Sequence, residues 1–430
     1  MSERYVDLGN KLVWGGTRPL ALSSADRRRH LYIVGQTGVG KSTLLKHIIC
    51  QDIENNAGLA MLDPHGDLAE ELLDLIPSHR VDDVIYLDPT DIDRPMAFNP
   101  FYRVPKDERA LVAANQVGIF KAQFGDSWGP RLEYILLNVF RALLDAPDHL
   151  RPTYLSVPRV LVDKKYRTQV IKYTEDLRAR SFFVDELSTW PERQLAEALS
   201  PIQNKVGQFL SNPFIRNVVC QWKPSFDLFH VMEEEKILII RVPKGFLGEE
   251  PANLFGSFLI SGLQQAAMRR AGQPEESRKD FHMVIDEFPN FTTDTFSNTL
   301  SEARKYGLTL TVGHQYIAQM SHEIEKAIFG NVGSIVSFRV SAEDADRLAR
   351  EIGEYAPAQL RDLERGQVFA RILENGEPSN PCLAKTNPDA LRAYKNKNTI
   401  IEQSRARYGR DRQDVESGMA RWLASMPGNS

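Results

Sequence analysis

The sequence predicts an α/β fold in which a mainly parallel central sheet is interrupted by an inserted all-helical domain. Short apolar runs at residues 31–34, 58–62 and 281–285 alternate with helical patterns, which is typical of buried parallel strands and their connecting helices. Between residues 105 and 223 these runs disappear, and apolar residues recur at helical spacing among several prolines. We therefore expect one sheet whose strands come from both sides of a helical insertion.

The composition limits the class of protein. The 430 residues are 42% hydrophobic with a net charge of −4, which fits folded domains and excludes a uniformly basic protein, so any nucleic-acid contact must use a local patch. The cysteines Cys50, Cys220 and Cys382 are far apart, which indicates buried thiols in a reducing compartment and no metal site. Because no apolar run approaches the roughly 18 residues of a transmembrane helix, we expect a cytoplasmic protein without a membrane span.

The first motif follows the apolar run at residues 31–34 and has the sequence GQTGVGKS. A strand, a glycine-rich loop and a helix come in the order that a phosphate-binding P-loop requires. The glycines let backbone N–H groups face a phosphate, and the positive end of the following helix favours the same anion. The alternative is a chance glycine-rich turn.

The P-loop motif assigns roles to individual residues. We expect Lys41 to reach the β- and γ-phosphates of a nucleoside triphosphate, taken to be ATP, and the Ser42 hydroxyl to ligate Mg²⁺. The predicted nucleotide-binding residues are Gly35, Gln36, Thr37, Gly38, Val39, Gly40, Lys41, Ser42 and Thr43.

Two acidic residues, Asp63 and Asp67, follow the apolar run at residues 58–62. Polar residues at the carboxyl ends of parallel strands lie where such sheets bind ligands, so both are candidates to act around Mg²⁺ or the attacking water. The alternative is that they cap the next helix, and the sequence leaves the two interpretations equally open.

A later apolar run, at residues 281–285, ends in Asp286 and Glu287, the pattern of a Walker B strand. Asp286 is predicted to hold Mg²⁺. Glu287 is predicted to polarise the attacking water as general base. A strand ending in two acids is weak evidence alone, but it gains weight in a chain that already contains a P-loop.

Three further polar residues are candidates for the site. Gln315 follows the strand predicted at residues 308–312, where it could sense the γ-phosphate or orient the water. Arg304 lies at a helix end, either as an arginine finger for a neighbouring subunit or as a cation that complements the helix dipole. Arg29 and His30 end the polar segment at residues 1–30. Either one of them lies near the nucleotide or across a subunit boundary, or the basic run is a solvated edge.

Together these motifs resemble the HerA/FtsK superfamily of DNA-pumping ATPases and, within it, the conjugative type IV secretion coupling proteins. The resemblance extends from Arg29 to about Ala384. The matching segments are residues 29–42, 62–67, 285–287, 302–307, 314–315 and 330–339. The Walker elements are generic, whereas the Arg-Lys-Tyr-Gly-Leu segment followed by Gln315 is more specific.

The resemblance implies a RecA-like fold, a homohexameric ring with ATP and Mg²⁺ at subunit interfaces, and single- or double-stranded DNA in a central channel. It implies that Gln315 is the sensor, that Arg304 is a finger acting in trans, and that Arg29 is a second interface arginine. The predicted domains are a first part of the RecA-like domain at residues 1–104, a helical insertion at 105–223, a second part at 224–386, and a helical tail at 387–430.

The sequence also departs from the family. It contains neither the N-terminal transmembrane helices typical of coupling proteins nor the β-barrel of archaeal HerA helicases. We therefore expect a protein that docks on a separate membrane-bound secretion partner or a nuclease partner. The main functional hypothesis is a DNA-translocating ATPase. The alternatives are a nucleotide-gated docking ATPase that recruits a protein cargo, relaxase or nuclease, and a signalling or defence ATPase that partners a nuclease.

Overall fold

The computed structural model of this chain describes residues 4–293, 296–353, 357–387 and 391–425. The chain divides into two compact units. The sheet unit comprises Met1–Leu87, Leu228–Val242 and Leu263–Ser404, and the helical unit comprises Asp88–Asp227, Pro243–Gly262 and Arg405–Ser430.

The sheet unit is built around one large sheet. The strands of the described residues are β1 (Tyr5–Val13), β2 (Gly16–Ser23), β3 (Leu31–Val34), β4 (Gly58–Asp63), β5 (Val84–Leu87), β6 (Ile237–Arg241), β7 (Phe281–Ile285), β8 (Leu308–His314), β9 (Ser334–Ser337), β10 (Gln367–Arg371), β11 (Leu373–Glu374), β12 (Glu377–Pro378) and β13 (Cys382–Lys385). All but β11 and β12, which pair with each other, form the sheet in the order β2-β1-β13-β10-β9-β3-β8-β7-β4-β6-β5.

Helices connect and cover these strands and form the second unit. The α-helices of the described residues are α1 (Ser24–Arg27), α2 (Lys41–Glu54), α3 (Asp67–Leu73), α4 (Arg109–Phe124), α5 (Pro130–Leu144), α6 (Ser156–Val162), α7 (Lys164–Tyr173), α8 (Leu177–Ser181), α9 (Glu192–Ser211), α10 (Pro213–Val219), α11 (Leu228–Glu233), α12 (Lys244–Leu247), α13 (Glu249–Met268), α14 (Phe296–Glu302), α15 (His322–Asn331), α16 (Ala342–Ile352), α17 (Pro357–Arg361), α18 (Lys397–Tyr408) and α19 (Arg412–Ala424).

The middle of the sheet is parallel, from β9 through β3, β8, β7, β4 and β6 to β5. Every residue of β3, β4, β7 and β8 is buried, which explains the apolar runs that β3, β4 and β7 form in the sequence. Because parallel strands point the same way, their carboxyl ends meet at one edge of the sheet. Val34 lies opposite His314, and Ile285 lies opposite Val312 at this edge.

An antiparallel extension completes the sheet beyond β9. The β1–β2 hairpin pairs with β13, which pairs with β10. The sequence, in which residues 1–30 are mostly polar, did not predict this hairpin. The apolar side chains that alternate along the hairpin, Val6, Leu8, Leu20 and Leu22, are buried in the core of the sheet unit.

The helical unit has its own aromatic core. Phe120 packs against Phe140 with ring centroids 6.1 Å apart, and Tyr154 packs against Phe258 at 5.1 Å. The hydroxyl of Tyr154 is buried among these rings and donates to Gln116 Oε1 at 3.1 Å, so the one polar group of the cluster is satisfied. This core explains the helical apolar spacing seen in the sequence between residues 105 and 223.

The predicted mainly parallel sheet is confirmed. The four domain boundaries drawn from the sequence stay a prediction, and residues 388–390 and 426–430 of the predicted tail lie outside the described residues. In the described part of the chain, no helix has both the length and the apolar character that crossing a membrane requires.

A buried ion pair in the sheet unit provides a test of the fold. Arg27 donates to both carboxylate oxygens of Asp52, at 2.5 and 2.8 Å, and the two side chains are 1% and 3% exposed. Asp52→Ala would leave the guanidinium buried without its counter-charge, so we expect the free energy of unfolding to fall by about 3–5 kcal/mol. Glu71→Ala, which breaks the exposed pair with Lys46, should cost less than about 1 kcal/mol. Urea unfolding measures both losses, and equal small losses would contradict the assignment.

A buried histidine makes the stability of the sheet unit depend on pH. His30 Nδ1 accepts from the Leu310 N–H at 3.1 Å and Nε2 lies 2.9 Å from the Leu300 carbonyl, so the neutral ring satisfies both contacts. Burial lowers the pKa of His30 to about 4. The unfolded chain, in which histidine has a pKa of about 6.5, therefore binds more protons, and the contribution of His30 to stability is lost as pH falls from about 6.5 to 4.

The variant His30→Asn isolates this contribution, because asparagine tolerates the left-handed backbone (φ 66°) found at this position. Between about pH 4 and 6.5 the dependence of the unfolding free energy on pH should become shallower by up to about 1.4 kcal/mol per pH unit. Urea unfolding of the native and variant chains across this range measures the slopes. Identical slopes would show that His30 takes up its proton in the folded chain as readily as in the unfolded one.

Candidate nucleotide-binding site

The predicted P-loop connects the end of β3 to the start of α2. Gly38 and Gly40 have φ values of 78° and 122°, a region that L side chains rarely adopt. Gly40 is also the N-cap of α2 and offers no side chain to the first turn. The N–H groups at the start of α2 are therefore not occupied by a side-chain cap, and with the helix dipole they suit an anion.

Close packing explains the first glycine of the motif. A β-carbon on Gly35 would lie 2.5 Å from the β-carbon of Phe338, the residue that follows β9. The Gly35 N–H donates to the His314 carbonyl at 3.3 Å, and the Gln36 N–H donates to the Arg339 carbonyl at 2.9 Å. The P-loop is thus hydrogen-bonded to the end of β8 and to the segment after β9, the two strands that flank β3.

Lys41 is buried at the start of α2. Its Nζ donates to the carbonyl oxygens of Gly35 at 2.6 Å and Gln36 at 3.0 Å. Burial lowers the pKa of Lys41, and the charges of Glu287 and Asp286 oppose this shift. The lysine and the two predicted Walker B carboxylates therefore lie close enough to interact. Ser42 and Thr43 are exposed beside Lys41, in the first turn of α2.

The carboxylates Asp286 and Glu287 follow β7 and are both buried. Asp286 Oδ1 accepts from the Glu287 N–H at 3.0 Å. Glu287 has φ 49° and ψ 47°, a left-handed backbone that is uncommon for a non-glycine residue and is frequent at functional sites. Burial raises the pKa of Asp286 to about 7, and the charges of Glu287 and Asp63 act in the same direction.

The acidic side chains at this site fit a divalent cation that takes only some of its ligands from the protein. The carboxylates of Asp63, Asp286 and Glu287 are buried near Lys41, and a bound cation would compensate their negative charge. Among the described residues, no group of three or more His, Cys, Asp or Glu side chains is arranged to hold a metal ion by itself. Mg²⁺ commonly takes one or two protein ligands together with waters and phosphate oxygens, which suits Asp286 and the hydroxyl of Ser42.

Asp63 and Asp67, for which the sequence allowed either a role around Mg²⁺ or a role at the start of the next helix, have different surroundings in the structure. Asp63 accepts from the His65 N–H at 2.8 Å and the Ala69 N–H at 3.0 Å, so it stabilises the turn and the start of α3. Its charge also acts on Asp286. Asp67 is exposed in the first turn of α3, where an acidic residue complements the helix dipole.

Gln315 contacts the P-loop directly. It follows β8, which lies between β3 and β7 in the sheet. The Thr37 hydroxyl donates to Gln315 Oε1 at 2.8 Å. The structure thus brings the P-loop, the Walker B carboxylates and Gln315 together at one edge of the sheet.

A cluster of rings behind these residues was missed by the sequence analysis. His314 packs against Tyr32 and Phe288 with ring centroids 5.4 and 5.1 Å apart, and Phe329 of α15 packs against Tyr32 at 5.8 Å. Phe288 follows Glu287 and His314 precedes Gln315, so the cluster fixes the backbone beside both. The only signal in the sequence was an aromatic ring next to each predicted site residue. Burial lowers the pKa of His314 to about 3, so the ring is neutral at physiological pH.

The two predicted arginines lie at the other edge of the sheet. Arg304 is exposed in a short 3₁₀ helix, Ala303–Tyr306, which precedes β8, whereas Gln315 follows β8. The seven residues of β8 span about 20 Å at roughly 3.3 Å each, which is beyond the reach of an arginine side chain. Arg29 precedes β3 and donates to the Gly376 carbonyl at 3.1 Å. Neither arginine is placed at the P-loop of its own chain.

Two family models match separate parts of the chain. A model described as the central domain of the helicase HerA matches residues 11–107, which include the P-loop. A model described as the TraM recognition site of TraD and TraG matches residues 280–370, which include Asp286, Glu287, Arg304 and Gln315. No curated protein sequence matches the chain.

Solved structures with a similar fold cover most of the chain. An unbound form of the bacterial conjugative coupling protein TrwB has a TM-score of 0.65 at 16% identity and covers 90% of each chain. The complex of TrwB with a GTP analogue has a TM-score of 0.65 at 17% identity and covers 92% of this chain and 98% of the other. VirB4 of Thermoanaerobacter pseudethanolicus has a TM-score of 0.55 at 15% identity, with coverage of 89% and 96%. The predicted RecA-like P-loop fold is confirmed: this chain joins a HerA-type domain and a TraD/TraG-type segment on the fold of the coupling protein TrwB.

Proposed function

We propose that this chain is an ATP-hydrolysing motor of the coupling-protein type, which assembles into a homohexameric ring and moves DNA through a central channel. The observation that carries the proposal is the meeting of Lys41, Asp286, Glu287 and Gln315 at one edge of the sheet. TrwB has been solved with a non-hydrolysable ATP analogue and with ADP and Mg²⁺, which agrees with ATP and Mg²⁺ as the predicted cofactors.

The chain's own residues account for the steps around the phosphates. Lys41 exchanges its hydrogen bonds to two loop carbonyls for bonds to phosphate oxygens, which are stronger because both partners are charged. Ser42 and Asp286 would hold Mg²⁺, which neutralises phosphate charge when bound. Glu287 orients and polarises the attacking water as general base. Gln315 senses whether the γ-phosphate is present, a role supported by its hydrogen bond with Thr37.

The positions of the arginines support a ring. Arg304 and Arg29 lie at the edge of the sheet opposite the P-loop, so they can serve a nucleotide only when that edge faces the P-loop of another copy. A head-to-tail arrangement of identical copies provides this contact, and it closes into a ring when the rotation between neighbours permits. Hydrolysis at each interface would then move one copy relative to the next. A membrane-bound secretion or nuclease partner is proposed to receive the DNA.

ATP turnover with and without DNA tests the motor. In the presence of Mg²⁺, single- or double-stranded DNA should raise the rate several-fold, and Lys41→Ala should lower it at least about a hundredfold because the phosphate loses its buried cation. Lys46→Ala is the matched control, since it removes from the same helix a lysine that pairs with Glu71, and it should leave the rate unchanged. If neither form of DNA changes turnover, the motor proposal fails and the nucleotide-gated docking alternative is favoured.

Mixing inactive variants tests whether Arg304 acts in trans. Arg304→Ala should lower the rate by roughly 10³-fold or more, the effect of losing an arginine finger. An equal mixture of Arg304→Ala and Lys41→Ala chains should regain activity, because about a quarter of the interfaces would pair an intact P-loop with an intact finger.

The control mixture combines Lys41→Ala with Glu287→Gln. Both changes lie on the P-loop side of the interface, so every pairing retains a damaged site and no activity should return. Recovery in both mixtures, or in neither, would exclude a finger supplied by the neighbouring copy.

A further inference from the structure

The helical unit contains a cavity of about 740 Å³, a volume within the range of sites for small ligands. Its lining comes from residues 103, 148–155, 220–223 and 410–422, all within the helical unit. None of these residues belongs to the predicted nucleotide site of the sheet unit. The cavity is therefore a separate concave surface.

The charges that line the cavity favour an anion. Arg103 is already neutralised, because it donates to Asp148 Oδ2 through Nε at 3.0 Å and Nη2 at 2.6 Å. Arg410 is partly buried and donates to the neutral Gln221 side chain at 3.0 Å. The other cations that line the cavity are Arg151 and Lys223, and the other carboxylate is Asp414. Three cations thus face one carboxylate once the Arg103 pair is set aside.

Two of these cations are available for a ligand. The side chains of Arg151 and Lys223 are exposed and make no hydrogen bond or ion pair with another side chain in the described ranges. Arg151 also has φ 48° and ψ 56°, a left-handed backbone that is uncommon for arginine and frequent at ligand sites.

Two tryptophan rings line the same cavity and are held in place by their neighbours. The ring centroid of Trp222 lies 5.0 Å from that of Tyr102 in an edge-to-face contact. The guanidinium of Arg159 lies 4.2 Å from the ring centroid of Trp422, and Trp422 Nε1 donates to the Leu150 carbonyl at 3.4 Å. Rings that are fixed before binding stack on a flat ligand at low entropic cost.

We propose that this cavity binds a nucleoside monophosphate, either free or as one unit of a single-stranded DNA. Proteins commonly bind single-stranded nucleotides with aromatic rings and positively charged side chains. The rings stack on the base, and the cations bind the phosphate. A simple anion would leave the tryptophans unused, and an uncharged aromatic ligand would leave Arg151 and Lys223 unused. The site is distinct from the P-loop, since the two share no residue.

Binding of thymidine monophosphate to the full chain carrying Lys41→Ala tests the site, because this change disables the phosphate site of the P-loop. We expect saturable quenching of tryptophan fluorescence, much reduced in Trp222→Phe. Reversing both free cations, Arg151→Glu with Lys223→Glu, should weaken binding at least about tenfold through the lost charge contacts. The matched control is Lys164→Glu with Lys165→Glu, which makes the same charge change on exposed residues of α7 outside the cavity and should leave affinity unchanged.

Two competitors identify what the site recognises. A short thymidylate oligonucleotide that binds more tightly, with a steeper dependence on salt, would assign the site to a DNA strand, whereas equal affinity would assign it to the free nucleotide. Inorganic phosphate that competes as well as thymidine monophosphate would overturn the proposal, because the rings would then contribute nothing. Absence of saturable binding, or equal binding by both charge-reversed variants, would overturn it as well.

Discussion

The buried charges at the carboxyl edge of the parallel sheet constrain the rest of this structure. Lys41, Asp286 and Glu287 are each only 6% exposed. Charges removed from water are stable only when they compensate one another or bind a ligand, so this edge must keep the lysine and the carboxylates in register. The all-buried strands β3, β8 and β7 provide that register, because their hydrogen-bonded pairing fixes where each chain leaves the sheet.

The same constraint explains local features that would otherwise be unfavourable. Glycine is required at position 35 because β9 leads the β-carbon of Phe338 into the space that a side chain would need. Glu287 has a left-handed backbone, and the rings of Phe288 and His314 pack together immediately behind it. Packing energy from the sheet unit therefore holds a strained backbone and a set of desolvated charges in one arrangement.

The direction of the strands separates two kinds of polar residue. Loops at the carboxyl edge carry the groups predicted to surround a phosphate, and segments at the amino edge carry Arg29 and Arg304. A strand length separates the two edges, so one chain cannot bring them together around one nucleotide. The proposed ring rests on this geometry. The helical unit adds a cavity with a different chemistry, which is lined by tryptophans and cations.

Local motifs made much of the site predictable from the sequence. The P-loop and the Asp286–Glu287 pair are recognisable because a few consecutive residues carry their chemistry, and continuous apolar runs predicted the parallel strands. The β1–β2 hairpin was missed although its buried residues Val6, Leu8, Leu20 and Leu22 have the two-residue spacing of strands, because residues 1–30 are mostly polar. By itself, the sequence determined the local chemistry on which the predicted phosphate and metal site rests, since backbone freedom and side-chain charge are local properties. Only the tertiary structure decided that Thr37 contacts Gln315, that Tyr32, Phe288 and His314 form one cluster, and that Arg304 lies a strand length from its own P-loop, because these relations depend on strand order, which no local pattern encodes.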